Sequence, residues 1–421
     1  MKNKIRLVVL SLLLTVSIVF NLVGCGTVRA KGILANNLMD GFEAREVEGR
    51  ETDQAFIKNQ MTLSLKLFKE SSRESGGENT LVSPLSIQLA LAMTANGATG
   101  QTKAEMEKLL GGEINLSELN EYLNTYVQNL PNEEKSKLKI ANSIWFKNVG
   151  IDVNDDFLQT NKNYYDASAY EASFDKTTVD DINSWVSEKT DGMIEKIVEN
   201  IEPLTLMYLI NAIMFDAEWN TKYKKESIRE GEFTSIDGEK QKAEMMYSTE
   251  GIYIETENAI GFKKNYKGGK YGFVALLPDE SIGFQEFINS LTDTELLEAL
   301  QKPSYETVYT TMPKFSYAYS LDMNDVLKAL GMPTAFDIGN ADFSGIGQAD
   351  GNLYISKVLH KTYISVDAAG TRAGAVTSVA MDGGSAPMKP KEVRLDRPFI
   401  YMIIDNDTNL PIFIGTLTSV K

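Results

Sequence analysis

Residues 370–390 (GTRAGAVTSVAMDGGSAPMKP) contain almost no large side chain, although they lie between a predicted strand and the apolar strands that close the chain. A compact domain seldom holds so long a segment without regular structure. Every second residue from Thr371 to Met381 is small or apolar and the intervening residues are more polar, which is the alternation of a β-strand. The segment therefore predicts a loop that is able to become a strand, with side chains small enough to enter between existing strands without overpacking.

Hydrophobic periodicity predicts a mixed α+β domain over residues 51–421, without internal repeats or a Pro- or Gly-rich linker. Ile57, Met61, Leu65 and Phe68 have the spacing of a first amphipathic helix, and a second helical segment, 85–95, follows Ser83-Pro84. Further helices are predicted at 155–165, 179–190, 284–300 and 321–330, and strands at 138–146, 206–215, 271–277, 305–315, 353–366, 399–404 and 411–417.

Composition excludes several classes of function. The 421 residues include 42 Lys+Arg and 58 Asp+Glu, a net charge of −16, which argues against a nucleic-acid or polyanion partner. One Cys excludes an intramolecular disulfide, and one His excludes a multi-histidine zinc site within the chain. We expect no cofactor and no metal.

The first 24 residues have the pattern of a secretory signal. Lys2, Lys4 and Arg6 precede an apolar run, 7–23, and residues 22–25 (LVGC) resemble a bacterial lipobox. That motif implies a signal peptide over 1–24 and lipidation of Cys25, which would anchor the protein outside the cell membrane or leave it extracellular after release. Loss of the three cations would lower the net charge from −16 to −19. An uncleaved membrane anchor is the alternative, because the run is nearly long enough to span a bilayer.

Residues 25–50 form a predicted tether between the membrane and the domain, mixing Gly, Asn and charges with short apolar pairs. Two interpretations stay open at this point. The segment is either a solvated linker, or its apolar residues dock on the domain and hold it in one conformation.

The sequence offers little support for an enzyme. It has no G-x-S-x-G, P-loop or G-x-G-x-x-G motif, and a Ser–His–Asp triad would have to use His360. His360 shares the apolar face of its strand with Val358 and Ile364, which favours a buried structural role. The pairs 155–156 and 180–181 (both Asp-Asp) are interpreted as caps at helix starts rather than as a glycosidase pair.

Eleven short motifs, in order along residues 52–418, resemble those of the serpin family. Each is weak alone, but their order is specific. They are 79–87 (NTLVSPLSI), 90–93 (ALAM), 96–102 (NGATGQT), 182–186 (INSWV), 190–194 (TDGMI, with Met193 where Lys is usual), 211–215 (NAIMF), 312–315 (MPKF), 330–332 (LGM), 341–344 (ADFS), 396–399 (DRPF) and 412–415 (IFIG).

The resemblance implies the serpin fold, with three β-sheets, eight or nine helices and an exposed reactive-centre loop. It also implies inhibition of serine, and by extension cysteine, endopeptidases as a suicide substrate. The protease forms an acyl-enzyme on the loop, and the cut loop inserts into the central sheet and distorts the protease. The native state must then be metastable.

The resemblance also assigns the loop positions. The hinge is Gly370, Thr371, Arg372, Ala373, Gly374, Ala375, Val376 and Thr377. Its insertion-side residues are small, as inhibitory members require, and Arg372 replaces a usual acidic residue on the opposite face. Counting from Thr371 places the scissile bond at Gly384–Ser385, while cleavage after Ala380 or Met381 stays open.

Two further sites follow from the resemblance. The shutter, which gates opening of the sheet, corresponds to Ser83, Ser86, Asn211 and His360. The breach at the top of the sheet corresponds to Trp219 and Lys314. Ala368 stands where the family has a glutamate, so Lys314 lacks its usual partner, and Asp367 is adjacent. No basic cluster marks a heparin site.

The leading hypothesis is a monomeric, lipid-anchored inhibitor of a subtilisin-like or elastase-like protease. The alternative is a non-inhibitory serpin that acts as a binding or structural module.

Overall fold

The computed structural model describes residues 32–148, 150–203, 205–349, 351–371 and 390–421. The chain divides into two units, Met1–Ile33 and Leu34–Lys421. Every helix and strand of the described residues lies in the second unit.

Side-chain caps explain where several helices begin. Ser83, for example, accepts a hydrogen bond from the Ser86 backbone N–H, with Pro84 in the first helical position, where no N–H is needed. Within the described residues there are nine α-helices: α1 (Gln54–Glu74), α2 (Pro84–Ala95), α3 (Gly100–Leu110), α4 (Leu116–Gln128), α5 (Asp155–Tyr165), α6 (Lys176–Lys189), α7 (Phe284–Ser290), α8 (Asp293–Gln301) and α9 (Asn324–Ala329).

The longer strands contain apolar segments, either continuous as in 271–278 or alternating as in 357–366. The described strands are β1 (Asn36–Asn37), β2 (Leu81–Val82), β3 (Ser136–Lys147), β4 (Asp152–Val153), β5 (Ser168–Ala172), β6 (Met207–Glu218), β7 (Ile228–Thr234), β8 (Lys240–Glu250), β9 (Tyr253–Glu255), β10 (Ala259–Asn265), β11 (Tyr271–Pro278), β12 (Val308–Pro313), β13 (Phe315–Asp322), β14 (Gly347–Gln348), β15 (Lys357–Val366), β16 (Gly370–Thr371), β17 (Lys391–Arg394), β18 (Phe399–Asp405) and β19 (Pro411–Leu417).

Three sheets organise these strands, together with a two-stranded pair, β14-β4. Sheet A has the order β1-β5-β3-β6-β16-β15-β13, sheet B the order β2-β19-β18-β11-β10-β9, and sheet C the order β17-β12-β8-β7. Every residue of β11, β18 and β19 is buried, so sheet B lies in the centre of the core. This arrangement confirms the α+β class, and the three sheets and the nine helices of the described residues agree with what the resemblance implies.

Two predicted elements are each two elements in the structure. The helix predicted at 284–300 breaks at Leu291–Thr292, because Thr292 caps a new helix by accepting a hydrogen bond from Glu295. The strand predicted at 305–315 ends at Pro313, which has no N–H to continue the ladder, and the chain crosses from sheet C to sheet A at Lys314.

Candidate functional site

The base of the 370–390 segment is a tight hairpin at one end of sheet A. After β15 ends at Val366, the Asp367 carboxylate accepts hydrogen bonds from the Ala369 and Gly370 backbone N–H groups, at 2.7 and 3.2 Å. The chain then turns back, and Gly370–Thr371 forms β16 between β6 and β15. The first two hinge residues are therefore already part of the sheet.

Trp219 and Tyr223 hold this hairpin from the neighbouring chain segment. The Trp219 backbone N–H donates to the Ala369 carbonyl at 2.9 Å, and its indole Nε1–H donates to the Asp367 carbonyl at 2.8 Å. The Tyr223 N–H donates to the Ala368 carbonyl, also at 2.9 Å. The predicted breach tryptophan thus binds backbone carbonyls of the loop base, so that position 368 does not need a carboxylate for these contacts.

Lys314, the second predicted breach residue, has a different partner from the one the resemblance leads us to expect. Its Nζ lies 3.0 Å from the Glu244 carboxylate on β8; the lysine side chain is partly buried and the glutamate side chain is exposed. The Asp367 carboxylate is engaged by the hairpin turn instead. The lysine is therefore paired, although its family partner is replaced by Ala368.

A gap for further strand residues lies directly beyond Thr371. β6 and β15 pair in parallel from Lys357↔Tyr208 to Lys361↔Ala212, and their ladder ends there. Above it, Ala217 and Glu218 of β6 pair with Thr371 and Gly370. Among the described residues none pairs with 213–216 of β6 on the side that faces β15. Strands β6 and β15 are thus paired directly as far as Ala212 and Lys361, and beyond the gap β16 lies between them.

A row of three polar residues crosses sheet A just below this gap. Asn142 of β3, Asn211 of β6 and His360 of β15 are direct cross-strand neighbours. The Asn211 side chain donates from Nδ2 to the side-chain oxygen Oδ1 of Asn142 at 2.6 Å and to Ser86 of α2. The row therefore links three strands of sheet A, β3, β6 and β15, to helix α2.

The hydrogen bonds of His360 define its tautomer. Its Nδ1 lies 2.8 Å from the side-chain oxygen Oδ1 of Asn211 and so donates to it, whereas its Nε2 accepts from the Ser83 backbone N–H at 3.1 Å. The ring is completely buried, and burial lowers its pKa to about 3. A second ring proton would face the Ser83 N–H. His360 is therefore a neutral structural group, and its two ring nitrogens bind the Asn211 side chain and the Ser83 backbone among the described residues.

The chain matches the family model described as serpin (serine protease inhibitor) over residues 58–420. The chain belongs to the serpin family. An uncharacterised serpin-like protein of Thermococcus kodakarensis is 32% identical over 386 residues, which cover 89% of this chain and 87% of the relative.

Two crystal structures of a thermophilic serpin, tengpin, show which serpin state the present structure resembles more. The native state has a TM-score of 0.88 at 53% identity, covering 91% of this chain and 99% of that chain. The latent state of tengpin has a TM-score of 0.79 at 52% identity, covering 89% and 100%. The present structure is accordingly more similar to the native state than to the latent state.

Residues 34–50 of this serpin lie against the domain. Asn36–Asn37 (β1) pair with β5 and extend sheet A by a strand, and the Leu38 N–H donates to the Ala169 carbonyl at 2.9 Å. Met39 is buried, and Arg50 forms an ion pair with Glu121 at 3.1 Å. Of the two interpretations of the tether, docking describes this part of it.

Asp181 holds the start of the docked segment. Its carboxylate accepts hydrogen bonds from the Leu34 and Ala35 N–H groups at 3.0 and 2.8 Å. The interpretation of 180–181 as a cap was wrong, because α6 begins at Lys176 and Asp175 caps it. The pair at 155–156 does lie in the first turn of its helix. Helical periodicity located α6 but not its first turn, which carries two threonines instead of apolar residues.

The structure brings together the four predicted shutter residues and adds Asn142 to them. The sequence carried a signal for Asn142, since an Asn four residues before a Phe interrupts both apolar strands, at 142–146 and 211–215. Several predicted positions lie outside the described residues: Cys25, Arg372 to Thr377, and the scissile pair Gly384–Ser385.

No helix within the described residues is long and apolar enough to cross a membrane. Nor do the described Asp, Glu and His side chains gather into a group of three that could hold a metal ion.

Proposed function

We propose that this serpin inhibits serine endopeptidases as a suicide substrate, with insertion of its cleaved loop into sheet A. The observation that carries the proposal is the position of Gly370–Thr371. These residues occupy the first two places of a new strand, and the gap below them is continuous with the hinge sequence.

The strand register specifies where each later hinge residue would go. With Thr371 opposite Ala217 and Val366, each step along the hinge moves one residue down β6 and one down β15. Ala373 and Ala375 would then face inward like Thr371, between strand residues that are already separated. Their methyl groups add little volume to a core that is already packed.

The same register explains why the polar row can act as a gate. Val376 would arrive where Ala212 and Lys361 now pair, and Thr377 would fall between Asn211 and His360. Complete insertion therefore has to break the Asn211–His360 hydrogen bond and the ladder below it. A dozen new ladder bonds at about 1 kcal/mol each would supply on the order of 10 kcal/mol toward this.

The test is incubation with a subtilisin-like and an elastase-like protease, followed by denaturing electrophoresis. We expect a covalent complex that survives boiling in detergent. Thr371→Arg would place a long cation at a buried position and should turn the inhibitor into a substrate, whereas Thr371→Ala should still form the complex. Complete cleavage of the wild-type chain without any complex would favour the non-inhibitory alternative.

We further propose that the mature protein begins at Cys25 and is lipid-anchored on the outer side of a bacterial membrane, as a monomer. The lipobox-like residues 22–25 support this proposal. Three acyl chains would bind firmly, since each buried methylene contributes about 0.8 kcal/mol. Cys25→Ala should release the protein from membranes and abolish incorporation of labelled palmitate. Unchanged incorporation would exclude Cys25 as the lipidation site.

A further inference from the structure

The hydroxyl of Thr371 is buried and makes a specific contact. The residue is 2% exposed, and its Oγ1 lies 2.5 Å from the hydroxyl of Tyr266. Tyr266 directly follows β10 of sheet B, so this contact joins the first inserted part of the hinge to a different sheet. Strand pairing alone does not require it.

Tyr266 is held rigidly in place. Its ring stacks on Trp219 at 4.5 Å between centroids and meets Phe215 edge to face at 5.0 Å. Its backbone N–H donates to the Tyr271 carbonyl, and the side chain is completely buried. A ring packed in this way fixes the position of its hydroxyl, and Thr371 contacts that hydroxyl from its paired place in β16.

Both neighbours of Tyr266 belong to the insertion machinery. Trp219 binds the loop base through the Asp367 and Ala369 carbonyls. Phe215 is the β6 residue opposite which Ala373 would arrive in the extrapolated register. The tyrosine therefore lies where the hinge turns into the gap.

We propose that Tyr266 is a positioning residue for loop insertion: its hydroxyl holds Thr371 in the top of sheet A and so sets the register in which the hinge enters. The contact between Tyr266 and Thr371 is independent of the proposed inhibitory function. Its effect on the kinetics of protease trapping rests on that function. Without the hydroxyl, the hinge leaves the sheet more often, and insertion after cleavage starts later relative to deacylation.

The experiment compares Tyr266→Phe, Thr371→Val and the double variant with the wild-type chain. Tyr271→Phe is the matched control, because Tyr271 is also completely buried, also meets Phe215 edge to face, and donates its hydroxyl to the Pro131 carbonyl, away from the hinge. The first measurement is amide hydrogen exchange at residues 367–371. The second is the stoichiometry of protease inhibition.

In Tyr266→Phe and in Thr371→Val we expect the backbone amides of residues 367–371 to exchange about fivefold faster than in the wild type. This is the factor that corresponds to the loss of one ordinary hydrogen bond. The double variant should be no faster than either single variant, because the two hydroxyls act only through each other. The number of inhibitor molecules consumed per protease trapped should rise in these variants, while Tyr271→Phe behaves as wild type in both measurements.

Equal behaviour of Tyr266→Phe and Tyr271→Phe in exchange, or additive effects in the double variant, would overturn the proposal. A wild-type chain that traps no protease would refute the proposed inhibitory function. Hydrogen exchange needs no protease, so it would still test the contact between Tyr266 and Thr371. Faster exchange with unchanged stoichiometry in a chain that does trap protease would overturn the positioning role.

Discussion

His360 shows how a single side chain stabilises the closed sheet through its protonation state. The neutral ring donates from Nδ1 to Asn211 and accepts at Nε2 from Ser83, and the second contact depends on Nε2 remaining unprotonated. The sequence predicted the burial of His360 from strand alternation, and the resemblance supplied three of its neighbours. Asn142 was missed because periodicity assigns faces, whereas the cross-strand register depends on which strands pair and with what offset.

Stability should fall between pH 7 and pH 5 because of His360. Burial lowers its folded-state pKa from 6.5 to about 3, so only the unfolded chain binds the proton in this range. The contribution is complete above pH 6.5 and is lost as the pH falls toward 3. We expect the free energy of unfolding to drop by about 2 kcal/mol between pH 7 and 5, measured by guanidinium denaturation.

The control is His360→Asn, whose unfolding free energy should be flat over the same range, since the chain has one His. A wild-type stability that does not change between pH 7 and 5 would contradict the neutral state assigned to His360.

Gly370 is required by close packing. A Cβ built at this position would lie 2.0 Å from the Ala217 carbonyl oxygen and 2.8 Å from the Glu218 Cα, both backbone atoms that cannot move aside easily. Gly370→Ala should therefore keep the hinge out of the sheet and raise the stoichiometry of inhibition several-fold. Gly251→Ala is the matched control, because nothing lies within 4 Å of a Cβ there. An unchanged stoichiometry in Gly370→Ala would show that β16 is not used.

At the scale of elements, the docked segment connects parts of the domain that move relative to each other in the proposed mechanism. β1 covers the outer edge of β5, while Asp181 fixes the start of the segment to α6, which packs on β3. A helix lying on sheet A must yield when the sheet opens. The sequence showed short apolar pairs in this segment but not their binding site, because two residues of strand carry too little pattern to identify a partner.

Asp181→Ala should loosen the docked segment and shorten the half-life of inhibitory activity at elevated temperature by at least about tenfold, since two backbone hydrogen bonds to a carboxylate are lost. Asp180→Ala, at the exposed neighbouring position, is the control. Deletion of residues 26–50 should have a larger effect in the same direction. Equal half-lives for the wild type and the deletion variant would show that the docked segment does not help to maintain inhibitory activity.

At the scale of the whole molecule, most of the sheet and helix arrangement was predictable because eleven ordered motifs identify the family. The partners of individual charged side chains were less predictable. Lys314 finds Glu244 in place of the family's hinge carboxylate, and Asp367 turns its carboxylate to the loop base. The ion pair between Lys314 and Glu244 joins residues that are distant in the sequence, so no local sequence pattern predicts it.

The measurement that tests loop insertion most directly is the thermal unfolding of the chain before and after a single cut within residues 372–389. If the free loop enters the gap below Thr371, the cleaved chain gains on the order of 10 kcal/mol, and its Tm should rise by roughly 20 °C. Mass spectrometry of the released C-terminal fragment identifies the bond that was cut. An unchanged or lower Tm after this cut would contradict insertion and the inhibitory mechanism with it.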